Sequence, residues 1–423
     1  MADTAPSAPT AHANPSLHTG LLAFASMLVF AVYQMTVENS YAPMRPEMAV
    51  DLGVTPLQSG LISPAFMVGY ALMQLPAGAL LDRLGAARLV PLVALATGVS
   101  CAIVACSTGF ASAVTGRVLM GAAASFAGPA IAAVTRLGLP VTMFAMFMGI
   151  SDMSIGVGGV AGIWGGNELQ AASSWRTVMW IATAAALPMA VACWWLLPRR
   201  VFGAQADSGS TGALTTLKEL LANRDVRVAA LLYALICGTL CGFGGMWNIM
   251  LAEAWRYQES EAIIIASAFF VGIAAGSPLI GLLAKRFGSR ATMLGAMWIT
   301  LPAFVVWIMV PVEVSMWFDA CNVALIGAGL TGSVLAFDIA CHRLPSHRVA
   351  SAIAIVNLAG MSAGAVLEIL PAAILRSVSD TRLHEVQMAT AVFPLMILFA
   401  IVAMRLVARE RQHNVLEIQP HNP

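Results

Sequence analysis

Asp152 stands in the middle of an apolar, glycine-rich run, and the positions one helical turn away are Met148, Gly149, Ile155 and Gly156. Burial disfavours the charged form of a carboxyl. No cation is in reach along the same helix, so an acid in this position suits the uptake and release of a proton. The alternative is a structural acid, satisfied by an arginine or a backbone amide from another segment. Glu38, Asp319, Glu368 and Arg117 also interrupt apolar runs, and so do Gln34, Asn248 and Asn322. A charge placed mid-helix in a bilayer costs about 2.5–3.5 kcal/mol, and such residues usually face a cavity or a partner. Asp152, Glu38 and Asp319 are therefore the candidates for proton coupling, with Arg117 able to pair with Glu38, Asp319 or Glu368.

Other chemistry has little to stand on. The seven histidines (His12, His18, His342, His347, His384, His413, His421) lie in tails, loops or helix ends. No metal-ligand constellation and no activated nucleophile is visible, so neither an enzyme nor a cofactor is expected. The seven cysteines lack zinc or redox spacing and read as small hydrophobes. Cys237 and Cys241 share a helix face. Met246 and Met250 are spaced to present two thioethers to a soft ion such as copper(I), although methionine is more often an adaptable hydrophobe.

These residues need elements to hold them, and composition says which. The chain of 423 residues is 59% hydrophobic and 10% charged, against about 25% charged in soluble domains. Its apolar runs are long enough to cross a bilayer, which takes about 20 helical residues. They fall at 19–41, 59–81, 89–108, 114–135, 142–164, 175–197, 227–250, 262–284, 291–310, 315–338, 349–371 and 388–407. The expected fold is an all-α polytopic membrane protein of twelve crossings. Asp152 is then near the midplane of the fifth, and Glu38, Arg117, Asp319 and Glu368 lie in one half of their crossings. Arg136 and Asp338 sit near the opposite ends of the fourth and tenth, positions that suit a gate or interfacial anchoring.

Basic residues orient the crossings. With the N-terminus in the cytoplasm, all of the 22 Lys and Arg but Arg45, Arg117, Arg176, Arg256, Arg376 and Arg382 fall on the cytoplasmic side, as the positive-inside pattern requires. The chain divides into a disordered cytoplasmic tail (1–18), a six-helix half (19–197), a cytoplasmic linker (198–226), a second half (227–407) and a cytoplasmic tail (408–423). The linker has a flexible composition at its centre, and 214–221 can form a short surface helix. A net charge of +1 suggests no nucleic-acid partner.

The halves repeat. Shifted by 203 residues, Ile62–Arg88 overlies Ile265–Ala291 without gaps, with ten of 27 positions identical. Phe66/Phe269, Gly69/Gly272, Gly78/Gly281, Arg83/Arg286 and Gly85/Gly288 are among the identities. Parallel repeats of this kind are a known transporter construction.

The loop Gly78-Ala-Leu-Leu-Asp82-Arg83-Leu-Gly85-Ala-Ala-Arg88 resembles the G-x-x-x-D-R-x-G signature between helices two and three of major facilitator superfamily transporters. Gly281 to Arg290 resembles its degenerate second copy, with Lys285 in place of the acid, and Arg117-Val-Leu-Met-Gly121 resembles another signature of that family. The resemblance implies the twelve-helix fold of two six-helix pseudo-repeats, in a monomer that moves a small molecule by alternating access. It makes Gly78, Asp82, Arg83, Gly85, Arg88, Gly281, Arg286 and Gly288 a conformational latch. It also places crossings 1, 4, 7 and 10 around the cavity, so that Gln34, Arg117, Asn248, Asn322 and Glu368 become candidate substrate contacts. Gly158-x-x-x-Gly162, Gly272-x-x-x-Gly276 and Gly360-x-x-x-Gly364 lie on helices that the family uses between its halves, and they suit either a rocking interface or packing inside one half.

The expected function is proton-coupled uptake of a small solute across a bacterial inner membrane. Efflux is the alternative. The family's exporters often carry G-P-x-x-G-G in helix five, where this chain reads Gly156-Val-Gly158-Gly159-Val-Ala-Gly162 without proline. A receptor or a copper transporter stands further off. Members that carry nitrate or sugar phosphates present paired cavity arginines; here the second and eighth crossings have none, which disfavours a strongly anionic solute.

Overall fold

The computed structural model describes residues 16–140, 143–203, 213–309, 315–341, 344, 346–375 and 383–418. Within them, twelve helices are long and apolar enough to cross a membrane. They are α1 (Leu17–Asn39), α2 (Pro56–Leu81), α3 (Ala86–Ala105), α4 (Phe110–Gly138), α5 (Met146–Ala172) and α6 (Trp175–Leu196) in the first half. The second half has α7 (Arg224–Gly242), α8 (Glu259–Phe287), α9 (Ser289–Met309), α10 (Met316–Cys341), α11 (Ser351–Ile374) and α12 (Leu383–Val407). Every crossing expected from hydropathy is present. The last helix runs on to Ile418, past the end of its apolar stretch. The centre of the linker, 204–212, lies outside the described residues, but Ala213–Ala222 is helical. That helix buries Leu220 against Val226, Ala352 and Ile355.

The repeat is written into the backbone. Gly85 and Gly288 end α2 and α8 with φ 75° and 84° and ψ 154° and 151°, a region that only glycine enters cheaply. Each donates its N–H to the carbonyl four residues back, Leu81 and Ala284, at 2.8 Å. Upstream, a Cβ on Gly69 would run into the carbonyl of Val118 on α4, and one on Gly272 into the carbonyl of Ala324 on α10. The pair α2/α4 therefore packs as α8/α10 does, because the same small residue opens the same approach.

Each half has its own aromatic and aliphatic core. In the second half Phe243 meets Phe269, Phe304 and Phe393 edge-on at 5.7, 5.0 and 5.3 Å. In the first, Phe24 of α1 meets Phe147 of α5 at 4.8 Å. That cluster lies toward the face carrying the linker and contains no residue of the other half. Contacts between the halves among the described residues include those of Gly156 and Gly159 with Phe270, of Ser63 with Glu368 and, nearer the opposite, distal face, of Arg45 with Glu253. The main helix pairings are α5 with α8 and α2 with α11, the two pairings that the pseudo-twofold interchanges.

Which glycines make the interface differs from what the spacing alone allows. Gly158 and Gly162 pack on Val32, Met35 and Thr36 of α1, Gly272 and Gly276 on Ala324 and Ala328 of α10, and Gly360 and Gly364 on Tyr233, Cys237 and Cys241 of α7. All three G-x-x-x-G pairs thus serve packing inside one half. The residues that cross to the other half are Gly156 and Gly159, which face Phe270 and Ala274 of α8.

Candidate functional site

Three charged residues of the distal half, Glu38, Arg117 and Glu368, meet at the seam. Helix two is broken: Pro56–Ile62 forms its first piece, started by a capping box between Thr55 and Gln58, and Ala65 begins the second. Pro64 cannot donate a backbone hydrogen bond, so the chain turns at Ser63. Arg117 of α4 reaches into this turn, donating from Nη2 to the Ser63 carbonyl at 3.3 Å and from Nη1 to the Glu38 carbonyl at 3.2 Å. The Glu38 carbonyl belongs to the last turn of α1, where carbonyls lack helical partners and attract cations. The guanidinium also lies over the rings of Tyr41 and Phe66, 5.1 and 5.2 Å from their centroids.

Glu368 of α11 comes from the other half. The Ser63 hydroxyl donates to its carboxylate, and Trp247 Nε1 donates to its backbone carbonyl at 2.8 Å. Glu38, Ser63, Arg117 and Glu368 line one small cavity with Asn39, Phe66, Met67 and Cys241, and Glu38 is only part-buried there. It has room for about one water molecule. Arg117, Glu368 and Ser63 are buried, and Arg117 Nε has no partner among the described residues. Among the described residues neither carboxylate forms an ion pair with the guanidinium, which donates to the Ser63 and Glu38 carbonyls and, from Nη1, to Met120 Sδ at 3.7 Å. Nearer the distal surface Arg45 and Glu253 join the halves at 3.6 Å.

Asp152 lies apart from this cluster. It is half-buried on α5, toward the linker side of Gly156 and Gly159. Its field reaches Tyr233 and Cys237 of α7 across the seam, and no ion pair to it is present among the described residues. Tyr233 donates to Asn357 Oδ1 of α11 at 3.3 Å and packs on Phe337 at 4.7 Å. Tyr70 of α2 meets the same Asn357. A titratable group thus stands beside a polar, aromatic patch at the centre of the bundle.

Several residues expected from the sequence lie elsewhere. Gln34 is fully buried and donates to Thr97 of α3 at 2.8 Å. Asn248 donates to the Ala266 carbonyl of α8 at 3.4 Å, and Asn322 to the Ala303 carbonyl of α9 at 3.0 Å. All three make these bonds within their own half. Asp319 sits at the distal end of α10, where it accepts a hydrogen bond from Tyr257, so of the three acids offered to Arg117 only Glu38 and Glu368 share its cavity. Met246 and Met250 are both buried in the core of the second half, and the described residues hold no group of three or more His, Cys, Asp or Glu able to bind a metal. Of the latch residues, Arg83 and Arg88 are exposed at the linker face, while the side chain of Asp82 lies outside the described residues. A Cβ on Gly78 or Gly281 would meet open space. Asp338, near the linker end of α10, accepts from Ser289 Oγ at 2.6 Å.

Ser63, Tyr70, Tyr233 and Asn357 drew no attention in the sequence. Ser63 carried a signal, since Ser-Pro in an apolar run marks a break that frees polar backbone. Nothing local distinguished the other three.

A family model described as Major Facilitator Superfamily matches residues 21–367. Among solved structures, a bacterial homolog of the human lysosomal transporter Spinster, described as inward-facing and unoccupied, superposes with a TM-score of 0.72. It is 16% identical, over 92% of this chain and 97% of that one. A point mutant of the nucleoside transporter NupG gives a TM-score of 0.71 at 13% identity, over 91% of this chain and 99% of that one. Among curated proteins, no relative matches by sequence.

Proposed function

Since the chain belongs to the major facilitator superfamily, we propose that it takes up a small solute by alternating access, driven by protons, with Asp152 as the coupling group. The observation that carries this reading is the position of Asp152: an acid without a described ion-pair partner, one helical turn from Gly156, which meets α8 across the seam. A carboxyl there is taken from one aqueous face to the other as the halves rock, so it can take up a proton on one side and release it on the other. The net acid character of the seam fits a neutral, zwitterionic or cationic solute. The loop from Gly78 to Arg88 and its copy from Gly281 to Arg290 serve as the latch on the linker face, their glycine caps holding the basic side chains at the helix ends.

The test is transport in proteoliposomes with an imposed pH gradient. Asp152→Asn keeps the shape of the side chain and removes its titration. The variant should lose gradient-driven uptake and retain exchange of solute across the membrane. Gradient-driven uptake near the wild-type rate would pass the coupling role to Glu38. Movement of solute against an inward proton gradient, out of the lumen, would make the protein an exporter.

The orientation proposed is that of a bacterial inner-membrane protein with both termini and the linker in the cytoplasm. A cysteine at Ser208 should then be protected from a membrane-impermeant maleimide in intact cells and react after lysis. Labelling from outside would invert the topology.

A further inference from the structure

Two arginines on the outer wall of the bundle lie on tryptophans instead of acids. α3 packs on α6 in the first half and α9 on α12 in the second, and the packing partners of all four helices lie within their own halves. On α12, Arg405 is exposed near the linker end of the apolar stretch that closes at Val407. Val402 and Leu398, one and two turns before it on the same face, are exposed too. An exposed apolar stripe on a spanning helix is its lipid-facing side.

Side chains on a helix lean toward its N-terminus. α12 starts at the distal face, so Arg405 leans into the bilayer, away from the water that a snorkelling arginine seeks. α9 starts at the linker face, so Trp298 leans the other way, and the two meet. The Arg405 Cζ lies 4.9 Å from the centroid of the exposed Trp298 ring. The first half repeats the arrangement. Arg199, exposed just after α6, reaches back over the exposed Trp194, with 4.1 Å from Cζ to the ring centroid. Val191 and Leu187, one and two turns before Trp194, are again exposed.

An indole face holds a guanidinium through its ring charge and leaves the N–H edge free. Among the described residues neither arginine forms an ion pair. A cation at the margin of the hydrocarbon is costly without an anion, and the planar fork of donors matches a phosphate. The described acids supply no anion here, whereas the surrounding lipid can. A zwitterionic headgroup brings its own ammonium to compete with the arginine. A headgroup whose only charge is the phosphate does not.

We propose that each outer helix pair holds one anionic phospholipid of the linker-side leaflet. Its phosphate sits on Arg405 over Trp298 in the second half and on Arg199 over Trp194 in the first, with the acyl chains along the exposed apolar stripes. Both sites are away from the seam, so they stay formed as the halves rock, and they depend on neither the direction nor the coupling of transport.

The experiment uses the full chain in liposomes of phosphatidylglycerol and phosphatidylcholine, with one or the other carrying brominated acyl chains. Bromine quenches indole fluorescence on contact. The Trp298 signal is the difference between the wild type and Trp298→Phe, and the Trp194 signal that between the wild type and Trp194→Phe. Each should be quenched with a preference of about fivefold for phosphatidylglycerol, which is what one arginine near an anionic surface provides. Arg405→Gln should bring the preference at Trp298 to parity and leave that at Trp194 intact, and Arg199→Gln should do the reverse. Both arginine side chains are exposed, so neither change disturbs the core. Equal quenching by the two lipids in the wild type would make these contacts ordinary boundary lipid and overturn the proposal. A preference that survives both glutamine variants overturns it too. So does one that inorganic phosphate abolishes at constant ionic strength, which would make the sites ones for a free anion. A preference at one tryptophan alone overturns the site of the half that lacks it.

Discussion

Gly156→Leu is expected to abolish net transport and to hold the distal face open. A Cβ at this position would come within 2.5 Å of both the Phe270 carbonyl oxygen and the Ala274 amide nitrogen, and within 2.7 Å of the Ala274 Cβ. Two of these three are backbone atoms of α8, so no change of rotamer relieves the clash. The two helices have to move apart. Overpacking of this kind costs about 1–3 kcal/mol, and about 1.4 kcal/mol already shifts a two-state equilibrium tenfold. The collision exists only when α5 and α8 are in contact across the seam, so the penalty falls on the distally shut state and spares the open one. Transport needs both. Spin labels at Val50 and Trp317, both exposed on distal segments of opposite halves, should report a longer distance in the variant, with transport lost, and Gly156→Ala should give a weaker version of the same shift.

Gly158→Leu provides the contrast. Its side chain would strike Met35 and the Val32 carbonyl of α1, inside the first half. That contact persists as the halves rock, so the expected effect is lower stability of the protein with an unchanged ratio of open to shut forms. Should Gly156→Leu transport normally with the wild-type distance, the α5–α8 contact is not the one that breaks on opening.

Arg117→Met should be the most destabilising single change in the distal cluster. The guanidinium is buried and ties the end of α1 to the break in helix two. Among the described residues it is also the only cation lining the cavity that contains Glu38 and Glu368. Removing one partner from a buried charged group costs about 3–5 kcal/mol, because two acceptor carbonyls and both carboxylates are left behind. Arg117→Lys should recover little, since one ammonium cannot span the Glu38 and Ser63 carbonyls as the planar fork does. The charge component can be isolated with a double-mutant cycle. Glu368→Gln, mild in the wild-type background, should restore part of the thermal stability that Arg117→Met loses. Strictly additive effects would mean that Arg117 acts only by tying backbone, with no contribution from its charge.

Much of this protein is legible along the chain. A crossing is a local property: about 20 apolar residues in a row, helical because the bilayer leaves no other way to pair the backbone. The spans read from hydropathy are accordingly those of the fold, and the loop repeat between Gly78–Arg88 and Gly281–Arg290 appears as two glycine caps of the same geometry. Positive φ at a helix end needs glycine whatever surrounds it, so that feature too is local. The presence of membrane acids, each too costly to be idle, is equally a matter of sequence.

Who meets whom is another matter. Lipid is as apolar as the side chains facing it, so hydrophobic pattern does not say which side of a membrane helix faces a partner. Gly156, Gly158, Gly159 and Gly162 are equivalent in a sequence; only the rotation of α5 between α1 and α8 sends one pair inward and the other across the seam. The same holds for polar residues. Gln34, Asn248 and Asn322 carry the residue types of a binding cavity, yet each is turned to a helix of its own half. Arg117 and Glu38 are 79 residues apart and Ser63 and Glu368 are 305 apart, while the carbonyls that hold Arg117 belong to the backbone and have no residue type to read. Sequence determined the twelve helices and the inventory of buried charge. The rotation and tilt of those helices, set by nonlocal packing of small residues, decided that Glu38, Arg117 and Glu368 form one distal cluster, with Asp152 and Asp319 outside it.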